Sequence, residues 1–190
     1  MPGVRCHRGP GRLTRSIGLA AALGALVGCD DGVATLVNGP GALDPNAALL
    51  APARIGFDKV ADALVASCGT LDCHGHPARN LRLYGSHGMR LRPTDDPGGA
   101  PTSAAERDAD YWSVTGLEPE VIDVVVRQGG VRPERLTLFR KGLGLEKHKG
   151  GTVALVGGAW DQCLRSWLQG KTDESICQSA VLKRETPPAP

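Results

Sequence analysis

The chain has 190 residues with 22 Lys and Arg against 20 Asp and Glu, only 4 % aromatic residues, and 26 Gly and 14 Pro. Few aromatics and many turn formers predict a mainly α domain in which a few helices carry long irregular loops. Arg5, Arg8, Arg12 and Arg15 lie within the first 16 residues without an acid among them; leaving them out gives 18 basic against 20 acidic residues, so the basic excess is not a nucleic-acid footprint and no nucleic-acid partner is expected.

That basic stretch runs into an apolar segment, Ile17 to Val27. Eleven residues are too few to span a bilayer, which needs about 20, but they fit the core of an export signal over residues 1–28. The segment ends in Leu26-Val27-Gly28-Cys29, which resembles the bacterial lipobox. The resemblance implies cleavage before Cys29, a lipid on its thiol and acylated amine, and a mature chain held to a membrane facing the periplasm or exterior. Asp30 would favour inner-membrane retention under the sorting rule of some bacteria. Residues 29–54, with Gly39-Pro40-Gly41, Pro45 and Pro52, read as a tether.

The domain proper is expected over 55–182. Phe57, Val60, Leu64, Val65 and Cys68 recur near the 3.6-residue period, which predicts a first helix over 57–67 closed by Gly69. Residues 79–92 alternate Leu81, Leu83, Met89 and Leu91 with basic residues and predict short extended pieces broken at Gly85 and Gly88, with room for a short β-hairpin. Residues 93–110 read as a polar surface loop, with Asp95, Asp96, Asp108 and Asp110 solvated. A second helix is predicted over Leu117–Gln128, capped by Thr115 with Glu118 three residues on, with Pro119 in its first turn and Gly129-Gly130 at its end; the run Val124–Val126 keeps a strand open there. The clearest helix carries Trp160, Cys163, Leu164, Trp167 and Leu168 on one face and stops at Gly170. Residues 183–190 read as a disordered tail.

Export implies an oxidising compartment, in which cysteines are bonded. Cys6 leaves with the signal and Cys29 carries lipid, so four remain. Cys163 and Cys177 are expected to form a disulfide closing a 15-residue loop, worth about 3 kcal/mol. Cys68-Gly-Thr-Leu-Asp-Cys73-His74-Gly75 is the segment that could carry chemistry. Two thiols followed at once by an imidazole can hold haem, the sulfurs through thioethers and the imidazole on the iron; two residues between the cysteines is the common spacing, and here there are four. The same spacing suits a local disulfide closing a six-residue loop, worth about 2 kcal/mol. Zinc on Cys68, Cys73, His74 and His76 is the third alternative, although this spacing matches no common zinc pattern. His76 and His87 read as exposed loop residues, Met89 as packing. No nucleophile elbow, phosphate loop or His-Glu-x-x-His occurs, so no enzyme is expected.

Together with Asn80-Leu-Arg-Leu-Tyr-Gly85, Leu138-Phe-Arg-Lys-Gly-Leu-Gly144, His148-Lys-Gly-Gly151 and the helix bearing Trp167-Leu168, the Cys-His-Gly at 73–75 resembles the planctomycete-type cytochrome c-like domains of exported bacterial proteins and related myxobacterial lipoproteins. The resemblance spans about residues 57–170 and implies a small c-type cytochrome-like helical fold. It also implies haem c attached at Cys68 and Cys73, His74 as proximal iron ligand, His148 as a distal candidate, and a redox partner protein. Its attachment loop is two residues longer than that family's norm, and no Met-Pro pair stands in the last third.

Overall fold

The computed structural model describes residues 48–182; the signal segment, Cys29, most of the tether and the tail lie outside the described residues. Among the described residues six α-helices occur in order: α1 Phe57–Cys68, α2 Ala104–Thr115, α3 Pro119–Arg127, α4 Thr137–Gly142, α5 Ala159–Leu168 and α6 Glu174–Leu182, with one 3₁₀ turn at Pro133–Arg135. Among the described residues there is no sheet, only an isolated bridge between Tyr84 and Met89. The domain is mainly α, as its composition predicts.

Helix α1 is central because its apolar stripe is nearly continuous. Phe57, Val60, Ala61, Ala63, Leu64, Val65 and Cys68 are all buried, and α1 packs on α2, α5 and α6. The Phe57 ring meets Trp167 at 4.9 Å and stands edge-on to Tyr111 at 5.4 Å, which joins α1, α2 and α5 through aromatic contacts. Gly56 begins α1 at φ 83°, where a Cβ would meet Thr172 Oγ1 at 2.5 Å, so glycine is needed for both conformation and space.

Helices α5 and α6 are joined by the Cys163–Cys177 disulfide, both cysteines fully buried. Replacing both with Ala is expected to lower unfolding stability by about 3 kcal/mol, the loop-closure value for fifteen residues, read as a lower urea midpoint; an unchanged midpoint would mean the two helices hold without the bond.

Three sequence expectations need correction. Residues 104–110 are not loop but the first half of α2, whose N-terminus carries the capping box: the Ser103 side chain accepts from the Glu106 N–H while the Glu106 carboxylate accepts from the Ser103 N–H. Asp110 is therefore not solvated; it is fully buried. Thr115 is not a cap but the last residue of α2, its hydroxyl donating to the Tyr111 carbonyl. Glu118 sits at the N-cap position of α3, yet its carboxylate accepts from the N–H and hydroxyl of Thr137 and so caps α4 instead. The extended pieces over 79–92 reduce to turns around the one bridge. Leu81 and Leu83 point inward, but the alternation then inverts, with Arg90 buried and Leu91 exposed. Arg90 goes inside because Glu106 is there to receive it, at 2.8 Å.

The tether also ends earlier than expected. The Leu50 N–H donates to Asp123, and the carbonyls of Pro52 and Ala53 accept from the Tyr111 hydroxyl and the Trp167 indole N–H. Residues 48–54 thus lie against the helices rather than apart from them.

Candidate haem-binding site

Cys68 ends α1 and is buried; Cys73 and His74 follow in a turn and are half-buried. Three backbone hydrogen bonds fix the turn: Cys73 N–H to Thr70 O, His74 N–H to Cys68 O, and Gly75 N–H to Thr70 O. Arg79 closes it from outside, its guanidinium donating to the carbonyls of Asp72 and Cys73 at 3.1 Å each. The segment after it then folds back: Leu83 N–H donates to His74 O and Met89 N–H to Gly75 O. This return is possible because Gly69, Gly75 and Gly88 lie backbone to backbone. A Cβ on either Gly75 or Gly88 would fall inside contact distance of the Gly69 carbonyl oxygen.

The His74 ring is oriented by the same return. Its Nδ1 lies 3.0 Å from the Leu81 carbonyl oxygen. A carbonyl only accepts, so Nδ1 carries the proton and Nε2 keeps its lone pair, the arrangement that orients metal-binding histidines. Burial pushes the His74 imidazolium down from its usual range, and the nearby Arg79, Lys141 and His148 side chains add to this against the opposing pull of the Leu81 carbonyl. The ring is therefore neutral at neutral pH and able to ligate.

His148, 74 positions further along the chain, is brought to the same place. The two imidazole rings lie 5.9 Å apart between centroids and within 12° of parallel. The loop holding His148 is tied to the end of α4, where Gly142 O accepts the N–H groups of Val153 and Ala154. Within it Gly150 lets the imidazole lie back over the chain, since a Cβ there would meet His148 Cε1 at 2.9 Å.

A metal–imidazole bond of about 2 Å on each side, with roughly 1 Å from nitrogen to ring centre, would place two imidazoles sharing one ion about 6 Å apart. The His74–His148 centroid distance, with the rings stacked, is close to that spacing. Two imidazoles are too few for zinc, which takes four protein ligands in a closed site, and among the described residues no three His, Cys, Asp or Glu side chains gather as a metal-binding group. They are the right number for an iron whose other four positions a porphyrin fills. His76 and His87 are exposed and Met89 is half-buried. Exposed apolar side chains, Leu71, Leu145, Leu155 and Val156, stand on the two loops that carry His74 and His148, as expected where a flat apolar group is to be covered. The Trp160 benzo edge packs on Gly142, and its indole N–H is buried with no hydrogen-bond partner. The residues present thus fit haem.

Sequence reasoning missed the support around the site. Asp110 accepts from the Tyr84 N–H at 2.7 Å and so pins the segment that turns back over His74, while its other oxygen is buried without a partner. Burial pushes its carboxyl up to about 8 against the pull of the Tyr84 N–H, with Glu106 and Asp62 adding to the rise and Arg107 opposing it. It is mostly protonated at neutral pH. The capping pair Ser103 and Glu106 was the one sequence signal that could have placed this residue on a helix.

No protein-family profile matches the chain, and neither a curated protein nor a solved structure does.

Proposed function

We propose that the chain is an exported, membrane-anchored envelope lipoprotein whose domain binds covalent haem c and passes single electrons or senses redox state. The observation that carries this reading is the pairing of His74 with His148 at 5.9 Å, His74 directly following Cys73 and six residues after Cys68 in the chain. When bound, haem would supply a one-electron couple whose potential depends on its axial ligands and burial. Cys68 and Cys73 would hold the ring. His74, fixed through Nδ1 to Leu81, would present Nε2 as proximal ligand, and His148 would present its imidazole from the opposite side. With His74 and His148 both holding the iron, no ligand position would be left for a substrate, which would favour electron transfer to a partner protein over catalysis. The lipidated Cys29 would keep that exchange at the membrane.

The test is expression with the native signal in a host competent for cytochrome c maturation. The expected result is a haem-staining band, a peptide over 68–74 heavier by the mass of haem, and an N-terminal peptide beginning at acylated Cys29. His148→Ala should change the visible spectrum while leaving haem attached. A 68–74 peptide two hydrogens light, with no visible absorbance, would make the domain a haem-free, disulfide-stapled binding or structural lipoprotein instead.

A further inference from the structure

Where the chain enters the domain, several large apolar side chains are exposed. Ile55 is 90 % exposed, Trp112 70 %, Leu49 49 % and Leu50 43 %. Pro52, Arg54 and Trp112 meet around one buried ring. Tyr111 donates its hydroxyl to Pro52 O, has the Arg54 guanidinium 6.0 Å from its centre, and carries the Trp112 ring edge-on at 5.0 Å. The outward positions of α2 continue the surface: Ala104, Ala105 and Trp112 are exposed, with Asp108 the one charge among the fully exposed positions. That charge is paired, Asp108 lying 2.6 Å from Arg54, which also binds Asp58 at 2.7 Å, so the three side chains together carry a single negative charge. An indole with an apolar body and a polar N–H, beside exposed aliphatic side chains, has the character of groups that settle at a bilayer surface.

The position of this entry point in the chain says which apolar phase it meets. Eighteen residues separate Cys29 from residue 48, so the entry point lies within about 60 Å of the lipidated residue at full extension. A link of this length raises the local concentration of the membrane to the millimolar range, so a weak contact is populated. We propose that Leu49, Leu50, Ile55 and Trp112 form a lipid-contacting face that seats the domain on the bilayer. The proposal rests on the lipid-anchor reading. Because Arg54 is held by two carboxylates, it offers no free cation to anionic lipid, so the contact is carried by the apolar side chains, needs no anionic lipid and withstands salt.

Trp112 reports on the contact by itself, since Trp160 and Trp167 are each only 2 % exposed. The mature chain with Cys29→Ser and a hexahistidine tag ahead of residue 29 is held on phosphatidylcholine vesicles containing a nickel-chelating lipid, which makes the test independent of natural lipidation. Trp112 emission should shift to the blue, and its acrylamide quenching should fall several-fold relative to vesicle-free solution, unchanged in high salt. Ile55→Ser should weaken the contact about tenfold, as expected for keeping one large aliphatic side chain out of an apolar phase, and adding Leu49→Ser should return Trp112 to its solution quenching. The proposal is overturned if Trp112 is quenched equally with and without vesicles. It is also overturned if Trp112 is already shielded without them, which would indicate cover by another segment or, if concentration-dependent, by a second copy. Protection that requires anionic lipid and vanishes in salt overturns it too. Failure of the anchor reading would show separately, as unacylated Cys29 in the exported protein.

Discussion

Replacing Arg90 with Ala is expected to lower the unfolding free energy by about 3–5 kcal/mol, the range for removing one partner of a buried ion pair. Arg90 and Glu106 are 3 % and 1 % exposed at their side chains and meet through two contacts, Nε to Oε1 at 2.8 Å and Nη2 to Oε2 at 3.1 Å. Arg90 also donates to the carbonyls of Ala100 and Pro101, so the variant loses the anchor of the 93–103 loop and leaves a carboxylate buried alone. Burial by itself would push the Glu106 carboxyl up; Arg90 and the N–H groups of Ser103 and Leu91 outweigh it and hold the group at about 2. A depressed carboxylate stabilises the fold above its unfolded value, 4.5 for glutamate, and that stabilisation is lost as pH falls toward 2. Urea unfolding across this window should show the wild type losing stability on acidification and Arg90→Ala losing much less. The pair replaced on both sides, Arg90→Met with Glu106→Leu, should fall well short of the single-variant loss, because no lone charge remains. A single variant as stable as the wild type would show that water reaches Glu106.

Gly88→Ala should be at least as damaging to the candidate site. The added Cβ would fall inside contact distance of the Gly69 carbonyl oxygen and 2.9 Å from Gly75 Cα. All the opposing atoms are backbone, so no side chain can turn aside, and the cost is expected at or above the top of the roughly 1–3 kcal/mol typical of overpacking. The 79–92 segment would lift off the Cys68–Gly75 turn, breaking Met89 N–H to Gly75 O and loosening Leu81 from His74. Gly129→Ala is the comparison. Unlike Gly88 it has a positive φ, 70°, and it has nothing within 4 Å, so it should cost only about 1–2 kcal/mol of backbone strain. Urea midpoints rank the two, and the yield of haem-staining protein should fall for Gly88→Ala alone. Equal losses would mean that the close approach of the three glycines does not hold the turn.

The contrast between α1 and α2 shows what was legible in the sequence. In α1 the buried stripe is apolar and in α5 it is apolar apart from Asp161, so the 3.6-residue period appears directly in Phe57, Val60, Leu64 and in Trp160, Leu164, Trp167. In α2 the buried stripe includes Glu106 and Asp110 while Trp112 faces out; the polarity is inverted at the positions that decide the pattern, and the helix reads as loop. The same inversion put Arg90 inside and Leu91 outside. Of the candidate site, the Cys68–His74 segment was legible because covalent chemistry requires those residues side by side. His148 was legible only by resemblance, since its lysine neighbours describe a solvated loop and its meeting with His74 is a product of the fold. The glycine contacts and the Asp110–Tyr84 bond join residues distant in sequence, and no local pattern announces them.

The way residues 48–54 lie across the helices has a mechanical consequence. A pull arriving through residue 48 would not peel α1 from its N-terminus one turn at a time. It would first load the bonds from Leu50 to Asp123, from Tyr111 to Pro52 and from Trp167 to Ala53. Those anchor points sit on α3, α2 and α5, so tension from a membrane would be shared by three helices before it reached the turn that carries Cys73 and His74.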